Sequence, residues 1–389
     1  MLTRRDFFTR GAGAALALTA ISPAALIAED KIASVVNKQD STSPSEDISG
    51  SRSLNAHAKT QGRVFGSAVI VKNIREDPKF AKIIREQCGI VVTTGELKWI
   101  ALRPSRDKYD FNDPDYLLNF AQQNHMLMRG HNLCWHESVP DWIKTEENKP
   151  HTRQFFIDHI TTVCKRYAGH FQSWDVVNEA ILPKDGQPGG LRKSFWYEQM
   201  GPEYIELAFR TAYEADPYAK LTYNDYGVEL DNEEDTERRK LILDLLRDLK
   251  KRSVPVHAVG IQSHVKAGST FGKGLSDYIE NLRQMDFEVY LTELDVNEDD
   301  IVTNDPAERD AIIAKTYSDF LRVAVANPAV KTVLTWDICD RFTWLNDGPT
   351  HHKKQPNRPQ RSLPFDDNYR PKKAFFALRD GFNQKKNIL

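Results

Sequence analysis

Glu179 and Glu293 each stand at the end of a short apolar run, in Trp174-Asp175-Val176-Val177-Asn178-Glu179-Ala180 and Val289-Tyr290-Leu291-Thr292-Glu293-Leu294-Asp295. A continuous Val/Ile/Leu run reads as a buried parallel strand. A carboxylate directly after it is presented at the carboxyl edge of the sheet, where α/β enzymes place their chemistry. Two such carboxylates suggest an acid and a partner.

The elements that must position them follow from an alternation of apolar runs and helix-period segments. Strands are predicted at Val64–Ala68, Ile90–Thr93, Leu127–Gly130, Trp174–Val177, Leu221–Asn224, Ala258–Ile261, Val289–Thr292 and Thr332–Trp336. Eight is the count that closes a barrel. Helix starts are marked by Asp77-Pro78, Asp113-Pro114 and Asp305-Pro306, each an N-cap acid before a proline at the first helical position, and Glu308 stands at capping-box spacing from Asp305. Apolar residues then recur at helical period, as in Ile205, Ala208, Phe209 and Ala212. This alternation predicts an α/β fold, a (β/α)8 TIM barrel forming one catalytic domain. An open doubly wound sheet is disfavoured, because Gly66-Ser67-Ala68-Val69 continues where a Gly-x-Gly-x-x-Gly loop would follow the first strand.

In a closed barrel the polar residues after each strand converge on one face. Here they are Lys98 and Trp99, then His131, Trp135 and His136, then Asn178 and Glu179, then Asn224, Asp225 and Tyr226. Gln262 and His264, Glu293 and Asp295, and finally Trp336, Asp340 and Trp344 complete the circuit. Carboxylates, amides, imidazoles and indoles together suit a sugar. Hydroxyls need planar donors and acceptors, pyranose C–H faces pack on aromatic rings, and two carboxyl groups cleave a glycosidic bond. Bland readings stand beside these: Trp174 and Trp99 as core aromatics, His136 as a structural histidine, and Asp225 and Asp295 as loop caps or arginine partners.

The blocks Gly130-His131-Asn132-Leu133-Cys134-Trp135-His136, Trp174 to Glu179, Tyr223-Asn224-Asp225-Tyr226, Gly260-Ile261-Gln262-Ser263-His264, Leu291 to Asp295 and Trp336 to Trp344 resemble glycoside hydrolase family ten, the retaining endo-1,4-β-xylanases. The resemblance runs in order from about Leu54 to Phe376. It implies Glu179 as general acid/base, Glu293 as nucleophile, and Asn178 as the amide on the 2-hydroxyl of the reacting sugar. It implies His264 and Asp295 as the partners orienting the nucleophile, with Gln262 in the same cluster. Lys98, His131, Trp336 and Trp344 match residues shaping the pocket of the reacting sugar, Tyr226 an aromatic on the leaving-group side, and Trp135 the neighbouring substrate-binding motif. The implied reaction is a double displacement, with carboxyl groups about 5–5.5 Å apart.

Three departures from the family pattern are visible. Thr94-Gly95-Glu96 stands where the family usually shows Glu-Asn ahead of Met-Lys-Trp. Glu137-Ser138 follows Trp135-His136 where the family has Ser and then Gln, and Asp337 replaces a usual glycine. The catalytic pair is untouched, but grip on the second donor-side sugar is expected to be weak or altered unless Glu96 turns inward to compensate. The expected function is endo-1,4-β-xylanase. The alternatives are a retaining glycosidase or transglycosylase on another or short decorated β-linked oligosaccharide, and a non-catalytic sugar-binding barrel.

Composition bounds the rest. The 389 residues are 40% hydrophobic and 28% charged, enough for one large core, and a net charge of −2 leaves no basic excess for nucleic acid or an anionic membrane surface. The partner is therefore expected to be a neutral poly- or oligosaccharide of xylan type. Residues 1–28 carry Arg4-Arg5 before a small-residue apolar stretch and resemble a twin-arginine export signal. Export to the periplasm or beyond is expected, with the export machinery as a partner of the precursor and no stable membrane anchor. Residues 29–53 read as a polar linker and 54–385 as the barrel. Cys88, Cys134, Cys164 and Cys339 form no Cys-x-x-Cys pair, so no metal and no cofactor is expected. His351, His352, Lys353 and Lys354 read as a solvated loop, with contact to acidic xylan decorations as the functional alternative.

Overall fold

Nine strands form where the apolar runs lie: β1 (Val64–Val69), β2 (Ile90–Thr93), β3 (Leu127–His131), β4 (Ser173–Asn178), β5 (Lys220–Asp225), β6 (Ala258–Ile261), β7 (His264–Lys266), β8 (Glu288–Asn297) and β9 (Val330–Thr335). The computed structural model describes residues 47–346 and 357–383. The expected export signal, most of the linker, and His351 to Lys354 lie outside the described residues. The last residues of the segment read as linker form a short 3-10 turn at Gly50–Arg52.

All pairings are parallel. The order β6-β5-β4-β3-β2-β1-β9-β8 is closed by β6 against β8, an eight-stranded (β/α)8 TIM barrel. The eight expected strands are all present. β7 is an addition: it runs along the far half of β8, with His264 opposite Asp295. As a result β8 does not stop at Thr292 but continues through Glu293 to Asn297.

Helices pack on the outside of the barrel through their apolar stripes. Along 204–215, Ile205, Ala208, Phe209 and Ala212 are buried. Asp77 caps the helix 78–87 by accepting from the backbone N–H groups of Lys79 and Phe80, and Asp305 caps 306–324 through Ala307. Two expectations fail. Asp113 lies inside its helix, which starts at Asn112 because Asp110 already accepts from the Asn112 N–H. The Asp305 N–H donates to Thr303 Oγ1 at 3.2 Å, which takes the place Glu308 would fill in a capping box.

Two irregularities set the barrel interior. In an unbroken strand, residues three apart face opposite sides of the sheet. The β4–β5 register shifts between Asp175 and Val177, and as a result Asp175 and Asn178 both reach the polar interior: Asp175 pairs with Arg129 and His131, and Asn178 with Asn224. A second shift falls between Leu291 and Leu294 on β8. There the adjacent residues Thr292 and Glu293 both bond Asn224. Gly260 on β6 is required by the same packing, since a Cβ there would stand 2.0 Å from Asn224 Oδ1.

Candidate active site

At the carboxyl end of the barrel a cavity of about 570 Å3 opens, and Glu179 and Glu293 both line it. So do Lys98, His131, Trp135, Asn178, Tyr226, Gln262, His264, Trp336 and Trp344. Asp295 sits behind the wall, its Oδ1 3.0 Å from His264 Nδ1, and Asn224, Asp225 and Asp340 are likewise buried outside the lining. Trp174 and Trp99 are fully buried core aromatics, Trp99 stacked on His159 at 3.7 Å. His136 is in the site, its Nδ1 3.7 Å from Glu179 Oε2. All four cysteines are buried free thiols.

Glu293 is held by donors. Its Oε1 accepts from Asn224 Nδ2 at 2.9 Å, and His264 Nε2 lies 3.2 Å from Oε2. Burial alone would raise its pKa. The His264 hydrogen bond, with the charges of His131, His264 and Lys98, outweighs burial and holds the carboxyl down at about 2. His264 responds in kind. Burial works against its charged form, but Asp295 and Glu293 on its two ring nitrogens hold its pKa well above the ordinary histidine value. Behind it, Trp344 Nε1 donates to Asp295 Oδ2 at 2.6 Å, so the chain Trp344–Asp295–His264–Glu293 fixes the ring's orientation.

Glu179 lies under opposite influences. Burial raises its pKa and the Glu293 charge adds to the rise, while the Gln262 hydrogen bond and the Arg192 charge oppose it. Gln262 Nε2 donates to its Oε1 at 2.9 Å and Asn178 Nδ2 at 3.2 Å. The residue follows β4 directly and adopts a left-handed φ of 59°, anchored by its own N–H to the Asn224 carbonyl at 2.9 Å. A polar chain joins the two carboxylates, because Asn224 Nδ2 donates both to Asn178 Oδ1 and to Glu293 Oε1. One carboxyl's pKa is thus raised and its neighbour's lowered, the opposed setting that acid-assisted displacement at a glycosidic bond requires.

The flanking residues are built into the wall by their strands. His131 Nδ1 lies 2.9 Å from Asp175 Oδ2, and Asp175 also pairs with Arg129. Lys98 Nζ stands 4.5 Å over the Trp135 ring; burial lowers its pKa, and the charges of Glu293 and Glu179 counter that. Asp225 is an arginine partner, 3.5 Å from Arg238. Burial, only partly offset by Arg238 and a Tyr223 hydrogen bond, raises it to about 6.

The three departures have structural explanations. Glu96 does not turn inward: its carboxylate accepts from the backbone N–H groups of Val71 at 2.6 Å and Gly95 at 3.1 Å, tying off the start of the helix 71–76. Ser138 Oγ accepts from the Ile100 N–H at 3.3 Å. Asp337 sits at φ 68°, a conformation that suits glycine and that aspartate tolerates better than most residues.

Two residues do more than the sequence indicates. Asn224 was placed on the rim by its strand end, but its bridging of both glutamates depends on the β5–β6–β8 neighbourhood. Arg192 lies in a polar loop with no local signal, yet it lines the cavity with Nη2 3.9 Å from Glu179 Oε2.

The family model for glycosyl hydrolase family 10 matches residues 53–381. A β-1,4-xylanase of Dictyoglomus thermophilum is 33% identical over 321 residues, 81% of this chain and 87% of that protein. Endo-1,4-β-xylanase A of Humicola insolens is 35% identical over 306 residues, covering 75% and 78%. The crystal structure of xylanase 10B from Thermotoga maritima superposes with a TM-score of 0.76 at 31% identity, covering 85% of this chain and 98% of that one. With the barrel, the paired glutamates and these matches over nearly the whole described chain, the protein belongs to glycosyl hydrolase family 10.

Proposed function

We propose that this glycoside hydrolase is an endo-1,4-β-xylanase that cleaves internal bonds of xylan with retention. The observation that carries the reading is the opposed setting of two glutamates in one cavity, Glu179 raised by burial and Glu293 held at about 2. Glu179 donates its proton to the departing oxygen as Glu293 bonds the anomeric carbon. Glu179, now a carboxylate, then takes a proton from water, whose oxygen bonds that carbon and releases Glu293. Asn178 and Lys98 face the reacting sugar, and Trp135, Tyr226, Trp336 and Trp344 offer ring faces to it and its neighbours. The xylanase names of the relatives, and a Thermotoga petrophila xylanase 10B solved with xylobiose, support xylan as the substrate class.

The test is the anomeric form of the first product released from xylan, followed by NMR before mutarotation. A β-product supports the reading and an α-product overturns it. A second reading, preference for short or decorated oligosaccharides, is favoured by Glu96 and Ser138, whose polar atoms are engaged by backbone N–H groups rather than free for a sugar. Kinetics on a xylo-oligosaccharide series separate the two: a strong second donor-side subsite would exclude the latter. We further propose export through the twin-arginine route, on the strength of Arg4-Arg5 and the apolar stretch after them. Arg4→Lys/Arg5→Lys should retain the precursor inside the cell, and unchanged export would reject that route.

A further inference from the structure

After β4 the chain makes an excursion from Glu179 to Arg192 and returns to where it started. Ile181 bridges Leu191 in antiparallel fashion, the Leu182 N–H donates to Gly190 O at 2.8 Å, and the Arg192 N–H donates to Ala180 O at 2.7 Å. The turn is made by Gly186, Gly189 and Gly190, all at φ near 70°. At Gly190 a Cβ would also stand 2.5 Å from Leu241, so the loop lies flush on the helix 233–251. The closed loop delivers Arg192 back over the residue from which it departed.

There the guanidinium makes three contacts at once. Its Nε donates to the Glu179 main-chain carbonyl at 2.8 Å, its Nη2 donates to Tyr226 Oη at 3.0 Å, and the same Nη2 lies 3.9 Å from Glu179 Oε2. Its side chain is only 11% exposed, which limits screening by solvent. A fork with one arm on the backbone, one on a tyrosine and a charge beside the carboxylate is a geometry that lysine cannot reproduce.

We propose that Arg192 is a positioning residue for the acid/base: it locks the left-handed Glu179 backbone and supplies a fixed positive charge that supports the Glu179 carboxylate during the second half of the reaction. This rests on the assignment of Glu179 made above. In the first half-reaction Glu179 is protonated and Arg192 costs it little, because the charge sits at ion-pair distance rather than in a bidentate bond. Once the proton has gone to the leaving oxygen, Glu179 is an anion in a closed pocket, and Arg192 is beside it without rearrangement.

The other groups facing Glu179 leave this role to be filled. His136, from the loop after β3, is pushed down to about 4 by burial and by Arg192 itself, so it faces Glu179 as a neutral ring. Gln262, after β6, and Asn178 donate without charge. Asp225, at the end of β5, and Glu293, on β8, are acids and add repulsion. Tyr226 is occupied by Arg192, and Lys98, after β2, stands over the Trp135 ring.

The test is the pH profile of kcat/KM on xylan for Arg192→Gln and Arg192→Lys, with the Glu179 carboxyl followed by 13C NMR and assigned by its loss in Glu179→Gln. Arg192→Gln should move the basic limb, and the Glu179 titration with it, upward by about one pH unit. Arg192→Lys should leave the limb in place while kcat falls through the lost carbonyl contact. A merely structural arginine would lower kcat/KM in both variants with no movement of either titration, and that outcome overturns the proposal. Equal movement in both variants overturns it too, since the charge would then not be the agent. Should Arg192→Gln not fold, Arg192→Met keeps the stem packing without the charge and should move the Glu179 titration upward; absence of movement there rejects the idea. Full activity of Glu179→Gln on xylan would instead strike the acid/base assignment, which is a separate failure.

Discussion

Glu179 and Glu293 carry the same carboxyl group, emerge from parallel strands of one barrel and face one cavity, yet their surroundings act in opposite directions. Burial is the largest influence on both. Around Glu293 it is overruled by a histidine whose other nitrogen is itself held by Asp295, and by Lys98 and His131. Around Glu179 stand two neutral amides, the Trp135 indole, a neutral His136 and an arginine at a distance, so burial prevails. What separates a proton donor from an ionised partner here is the set of donors each strand neighbour supplies, more than how deeply either carboxyl lies.

The comparison is broken most severely by deleting the ionised side. Glu293→Gln should lower kcat/KM on xylan by at least about 10^4-fold with the fold intact by circular dichroism, because among the described residues the other carboxylate at the reacting bond, Glu179, serves as the acid. Glu179→Gln should cost about 10^2–10^4-fold on xylan. With an activated aryl leaving group, which needs no proton, the loss in the first step should nearly vanish, and pre-steady-state bursts should show the covalent intermediate accumulating. Equal losses on both substrates would contradict the acid role.

A third substitution sharpens the contrast through stability. His264→Asn removes the partner that holds Glu293 down. The folded-state pKa of His264 is raised above 6.5, so its contribution is full below pH 6.5 and lost as pH rises through the folded value. That of Glu293 is depressed from 4.5 to about 2, so its contribution is present above pH 4.5 and lost as pH falls toward 2. The variant should therefore be destabilised most between pH 4.5 and 6.5, by about 2 kcal/mol, as read from Tm against pH. The acid limb of kcat/KM should move upward as well.

The smallest effect belongs to the region beside the pair. Glu96→Gln weakens the cap on the helix 71–76 and should lower stability by about 1 kcal/mol, with kcat/KM on xylan changed less than about twofold, since that carboxylate serves two backbone N–H groups. A large loss of activity would mean that Glu96 reaches the sugar after all.

Much of this was legible in the residues. The strand runs and the rim they create predict the barrel, and most of the expected rim lines one cavity with the two glutamates, whereas Trp99 is buried in the core and Asp340 pairs with Lys372 outside the cavity wall. That placement has a simple cause: in a parallel barrel every strand ends at the same mouth, so position in sequence after a strand is position in space. Where local signals compete, the expectation fails, as at Asp113, whose helix has already begun at Asn112; the place of Glu96, left open by the sequence, is decided by Val71 lying beside it.

The sequence by itself determined the architecture, the pair of carboxylates and the family pattern around them, because these depend on apolar period and residue type along the chain. Only the tertiary structure decided which glutamate has its pKa lowered and which has it raised. It did so through β7 carrying His264 alongside Asp295, two register shifts turning Asn178 and Glu293 onto Asn224, and a loop closing Arg192 over Glu179. Those contacts join residues from 13 to 69 positions apart, and a carboxyl's charge state depends on such neighbours rather than on its own place in the sequence.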